Sequence, residues 1–307
     1  MTQDKRESVY EKVTQTIITL LASGVVPWSK PWKGGKHGSA MSYATGKSYR
    51  GYNQMILSCL RASQGYKSAY WMTFNQAKAA GGSVKKGEKG TPIIYWNWIK
   101  KTVENADGTT SEKKIPFLRY YTVFNYDQTD GVKVAAGELP TTEPEPEFNP
   151  IEAAEAIVAG YKSCPPVAFG GDQACYRPMT DEIGMPGKTS FVSPESFYST
   201  YFHEMTHSTG HKSRLGRSGV TGPTYFGSDV YSQEELVAEM GASFLCGVSG
   251  IDKVTQDQSA AYCDHWIKVL KGDSKLVVMA ASQAQKAADL ILGSTPKAAE
   301  ETSAEQE

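Results

Sequence analysis

The chain has 307 residues, 40% of them hydrophobic, and a formal net charge of −1. That content fills folded cores and excludes a disordered polyelectrolyte, and the length predicts two domains. No run of about 18 apolar residues offers a membrane span, no apolar segment follows the charged first residues as in a secretory signal, and five scattered cysteines without a Cys-x-x-Cys pair exclude a disulfide framework, so a reducing cytoplasm is the expected setting.

Residues 4–22 predict an amphipathic helix, because Val9, Val13, Ile17, Leu20 and Leu21 lie close to one face, and Gly24 ends it. A Trp- and Lys-rich loop follows. Asn53–Ala62 and Thr73–Ala80 predict two more helices. Ile93–Val103 and Ile115–Tyr126 predict a hairpin that turns through Asn105–Gly108. The first domain, residues 1–134, is therefore expected to be α+β. Residues 135–150 alternate Pro and Glu and read as an extended linker.

Beyond the linker, a helix is expected near 151–161. A hairpin of Ala174–Pro178 and Asp181–Pro186 should follow, with an edge strand that could hold an extended peptide. Next comes a helix through His203, capped by Ser193 or Ser196. Helices near 232–247, 255–271 and 274–292 complete a second domain, 151–293. The polar Ala/Glu-rich tail, 294–307, is expected to be disordered.

The near-zero charge hides an asymmetry. Through Lys133 there are 20 Lys+Arg against 9 Asp+Glu, and from Val134 on there are 12 against 24. Trp28, Lys30, Trp32, Lys33, Tyr49 and Arg50 interleave cations with flat rings, and Lys85, Lys86 and Lys89 sit on a glycine-rich turn. Cations track phosphates and rings stack on unpaired bases, so this mixture points to single-stranded DNA rather than a duplex. The bland alternative is that the rings build a small core and the lysines keep it soluble.

The chemistry is carried by His203-Glu204-Met205-Thr206-His207. On a helix, i and i+4 share a face, so the two imidazoles can grip one cation while Glu204 acts as general base on water. Zn²⁺ is the expected ion and Mn²⁺ the alternative. Glu235 is taken as the third ligand, ahead of Glu239 and Glu234. Glu239 is expected to orient a ligand histidine. His211 is expected behind the ligands or facing substrate, or simply as a helix-end histidine. Neither a His-x-Glu…Cys-x-x-Cys signature nor a carboxylate-rich nuclease site is present, which argues against a deaminase or nuclease.

The opening helix, Gly24-Val25-Val26-Pro27-Trp28-Ser29-Lys30-Pro31-Trp32, Tyr49-Arg50-Gly51-Tyr52-Asn53 and Lys86-Gly87-Glu88-Lys89-Gly90 resemble the N-terminal domain of the ArdC antirestriction family. The second half resembles that family's metallopeptidase domain at Tyr176–Asp181, His203–His211, Arg214-Leu215, Phe226–Ser228 and Glu234–Glu239. The resemblance implies an α+β fold of two domains, one binding single-stranded DNA and one zincin-like. It also implies a role in shielding the incoming DNA of a mobile element from restriction. A host restriction protein or another DNA-bound protein is the expected substrate if the site is proteolytic. A DNA-coating protein with a purely structural metal is the rival reading.

Overall fold

The structure is a computed structural model that describes residues 3–28, 39–104, 110–133, 150–222, 229–251 and 260–294. In chain order, the elements run α1 (Gln3–Ala22), β1 (Met41–Ser42), α2 (Gly51–Gln64), β2 (Tyr70–Thr73), α3 (Phe74–Ala79), β3 (Ser83–Val84), β4 (Thr91–Glu104), β5 (Thr110–Asn125) and β6 (Thr129–Asp130). Then come α4 (Pro150–Gly160), β7 (Val167–Phe169), β8 (Cys175–Arg177), β9 (Glu182–Met185), α5 (Pro194–Ser208), α6 (Ser218–Thr221), α7 (Asp229–Ser249), α8 (Ala260–Gly272) and α9 (Leu276–Ile291). The class is α+β, and two compact units are present.

The first unit draws on Met1–Pro27, His37–Glu143 and Gln258–Val278. Its sheet has the order β1-β2-β5-β4. The long β4–β5 hairpin pairs Thr91 with Val123 at one end and Glu104 with Thr110 at the other. Asn53 on α2 pins the outer strand: its amide donates to the Ile94 carbonyl at 2.7 Å and accepts from the Ile94 N–H at 2.8 Å. That satisfies a backbone pair which an edge strand would otherwise leave to water. Thr73 starts α3 with a reciprocal pair of bonds to Gln76, so the strand ends where the helix is capped.

The buried face of α1, with Val9, Val13, Ile17, Ile18 and Leu21, is too wide for the sheet alone to cover. It packs on β4 and β5 and also on α8. Thr14 reinforces this by donating to the Ser274 carbonyl at 2.7 Å. The contiguous division at 151–293 expected from the sequence therefore differs from the units seen: residues 258–278 group with the N-terminal half. The linker lies outside the described residues except for Pro150, and the tail outside them except for Ser294.

The second unit draws on Trp28–Lys36, Pro144–Asp257 and Met279–Glu307. The expected hairpin is present, with Tyr176 opposite Ile183, and β7 joins it in parallel to give the order β7-β9-β8. Strand β8 is thus an outer strand, and it packs beside α5. Ser193 caps α5: its side chain accepts from Ser196 N–H at 3.2 Å, Ser196 reciprocates, and Pro194 opens the first turn. Helix α5 buries Phe197, Tyr201, Phe202 and Met205, and α7 buries Leu236, Val237, Met240 and Leu245. The two helices pack more extensively on each other than any other helix pair among the described residues, and this sets the geometry of the site.

Candidate functional site

His203 and His207 stand one turn apart on α5, and Glu235 faces them from α7. The two imidazole Nε2 atoms are 3.1 Å apart. His203 Nε2 lies 3.6 Å from one Glu235 oxygen and His207 Nε2 lies 3.5 Å from the other. A tetrahedral cation with bonds of about 2.0–2.2 Å spaces its donors by about 3.4 Å, so the donor set and its spacing fit such an ion. These three are the residues whose ligand atoms converge among those described. Glu204, on the same helix turn, is buried at 7% exposure.

A buried ion pair backs this set. His207 Nδ1 lies 3.2 Å from Glu234 Oε1. Glu234 in turn receives a forked pair from Arg217, with Nη2 to Oε1 at 2.6 Å and Nε to Oε2 at 2.9 Å. Burial works to raise the Glu234 carboxyl, but the bonds from Arg217 and His207 outweigh it and hold it below the usual range. For His207, burial works downward and is overcome by Glu234, Glu235 and Glu204, so the imidazole is pushed up to about 9.

The carboxylate against His207 Nδ1 is Glu234, the weakest of the three ligand candidates in the sequence. Glu239 lies one turn beyond Glu235, half-buried. Successive helical residues are about 100° apart. Glu235 and Glu234 thus reach His207 from its two sides, one at Nε2 and one at Nδ1.

His211 does not join the convergent atoms. Helix α5 ends at Ser208, so the i+4 progression stops before His211. Its Nδ1 meets Ser213 Oγ at 2.8 Å and lies 3.6 Å from Asp181. Asp181 sits in the β8–β9 turn at φ 50°. It accepts from the Tyr176 hydroxyl at 2.7 Å and from both terminal nitrogens of Arg214. Arg214 Nε reaches the Ser208 carbonyl at 2.7 Å. This cluster ties the outer strand to the end of α5. Arg214 holds the Asp181 carboxyl below the usual range.

The family models place both halves. Residues 7–124 match the N-terminal domain of anti-restriction factor ArdC, and residues 152–283 match a zincin-like metallopeptidase. The chain is similar to the antirestriction ArdC protein from the R388 plasmid in its metal-free crystal structure, with a TM-score of 0.69, 39% identity and coverage of 93% of this chain and 97% of that one. The chain belongs to the ArdC antirestriction family. The Mn(II)-bound structure of the same plasmid protein matches with a TM-score of 0.69, 37% identity and coverage of 94% and 98%. DNA primase TraC of Escherichia coli is 37% identical over 98% of this chain, which spans 28% of that protein.

In this ArdC-family chain the candidate DNA residues divide by burial. Trp28 is wholly buried, so its ring is core and has no face to offer a base. Lys30, Trp32 and Lys33 lie outside the described residues. The Tyr49 hydroxyl bonds Ser42, and burial pushes it up to about 12. Arg50, Lys85, Lys86 and Lys89 are exposed. Lys85 Nζ donates to the Asp127 carbonyl at 2.7 Å, and Gln128 holds the same turn through Glu88 and the Lys89 carbonyl. Two exposed rings of the first unit carry no signal in the sequence pattern: Phe74, which opens α3, and Tyr120, whose ring lies 4.2 Å from Lys12 Nζ. Arg217 carries none either, since a loop arginine has no periodicity to mark it.

Proposed function

We propose that this ArdC-family antirestriction protein is a divalent-metal peptidase that acts on proteins held on single-stranded DNA. The observation that carries the reading is the convergence of His203, His207 and Glu235 beside buried Glu204. In this reading those three side chains are the ligands of one ion, Zn²⁺ in the first place and Mn²⁺ in the second. The ion supplies Lewis-acid activation of water and of the peptide carbonyl when bound.

The remaining work falls to the chain. Glu204 takes a proton from water as its oxygen attacks the carbonyl carbon. It then passes that proton to the amide nitrogen as the C–N bond breaks. Glu234 holds the ring of His207 by its Nδ1 side. Strand β8, outermost in its sheet and beside α5, supports an extended peptide by backbone pairing. Exposed Arg50, Lys86 and Lys89 in the first unit support phosphate contacts.

The test is antirestriction itself. Glu204→Ala in the full chain should lose protection of a plasmid entering a restricting host while keeping DNA binding. Full protection by that variant would instead mark a DNA-coating protein with a structural ion.

A further inference from the structure

The geometry points to Arg217 as the positioning residue of the ion site: it fixes Glu234, and through Glu234 the ring of His207. The inference rests on the proposed ligand set. Arg217 and Glu234 have side chains 5% and 7% exposed, so a full ion pair is buried directly behind a proposed ligand. Burying two charges is costly, and an apolar pair of similar volume would serve packing as well or better. The pair's contribution must therefore be sought in what it orients.

Three observations identify it. First, the guanidinium fork takes both Glu234 oxygens, leaving Oε1 3.2 Å from His207 Nδ1. A carboxylate so held accepts Nδ1–H and turns the Nε2 lone pair towards Glu235 and His203. Second, the same fork grips the helix that carries His207. Nη1 donates to Thr209 Oγ1 at 2.6 Å and Nη2 to the Thr206 carbonyl at 2.8 Å. One side chain thus sets both the ring's partner and the end of α5.

Third, the backbone makes room for the pair. A Cβ on Gly219 would stand 2.7 Å from Glu234 Cβ, and one on Gly210 would stand 3.0 Å from Arg217 Nη2. A lysine could supply the charge but not the planar fork.

The experiment measures cation affinity of the full chain by chelator competition, with Zn²⁺ and with Mn²⁺. It also follows the far-downfield proton signal of His207 Nδ1–H. Arg217→Lys, Arg217→Ala and Glu234→Gln should each weaken binding about 10- to 100-fold. They should also move that signal upfield and speed its exchange.

A cavity of about 280 Å³ lined by Arg217, Glu234, Gln233 and Gln283 abuts the pair. Guanidinium ion at a non-denaturing concentration should therefore restore affinity to Arg217→Ala and leave Arg217→Lys unrescued. A folded Arg217→Lys chain with wild-type affinity and an unmoved Nδ1–H signal would overturn the inference. So would Glu234→Gln alone showing the loss. If Arg217→Ala does not fold, Arg217→Lys with the proton signal decides.

His203→Ala separates the two layers. A chain that binds the cation equally well without His203 overturns the proposed ligand set, while the Nδ1–H signal still decides on Arg217.

Discussion

Gly241 on α7 lies against Thr206 on α5 so closely that a Cβ there would come within 2.5 Å of the Thr206 methyl. Thr206 is wholly buried and β-branched, so it cannot turn aside. This approach is what brings Glu234 and Glu235 within reach of His207.

Gly241→Ala is expected to lower both stability and cation affinity. Alanine in a helix normally gains about 1 kcal/mol over glycine. The overpacking cost of about 1–3 kcal/mol opposes that gain and should win, because the obstacle is a fixed side chain. Thermal melts with and without Mn²⁺ check it. A Gly241→Ala chain that melts higher and binds normally would show that the helices have slack.

The Arg217–Glu234 pair gives a second expectation. Glu234→Ala leaves a buried guanidinium unpaired and should cost about 3–5 kcal/mol. Arg217→Met combined with Glu234→Leu should recover most of that. The loss of one partner would then exceed the loss of both, which a double-mutant cycle in thermal or urea unfolding reads directly.

Much of this centre was legible because it is local. The i, i+4 spacing of His203 and His207 fixes a shared face, and Ser193 and Ser196 bracket where the helix begins, with Ser193 the one that caps it. The β4–β5 hairpin was legible for the same reason, as two β-rich runs around a turn. The contact of Glu234 with His207 was not, because it depends on the angle at which α7 crosses α5. Arg217 was invisible, since its partner arrives only when α7 returns. Trp28 misled because an aromatic count cannot tell a ring in a core from a ring on a surface. The packing of α8 on α1 was not legible either, because a helical run shows which face is buried and not what buries it.

Asp181 predicts a pH dependence. Its folded carboxyl titrates below the ordinary 3.8 because Arg214 and Tyr176 favour the charged form. A depressed carboxylate contributes stability that is present above the unfolded pKa and is lost as pH falls through the folded one. Wild type should therefore be more stable than Asp181→Asn at neutral pH. The gap should close as pH drops from about 4 downward. A gap that stays constant through that window would remove the ion pair as its cause.

The basic turn predicts a salt dependence. Lys86 and Lys89 are exposed beside the carbonyl and carboxylate groups that hold the turn. Replacing either with glutamine should reduce the slope of log affinity for single-stranded DNA against log salt by about 0.7 for each phosphate no longer neutralised. Trp28→Phe should leave that slope unchanged. Unaltered slopes for both lysine variants would place the DNA path elsewhere on the unit.

The most direct measurement is cleavage of a protein bound to single-stranded DNA, by wild type and by Glu204→Gln, both loaded with one Zn²⁺ or Mn²⁺ per chain. Wild type is expected to cut the bound protein and to leave it intact once the ion is chelated. Glu204→Gln should retain the ion and cut nothing. Equal cleavage by both, or none by either under any metal, would contradict a hydrolytic centre built on His203, His207, Glu235 and Glu204.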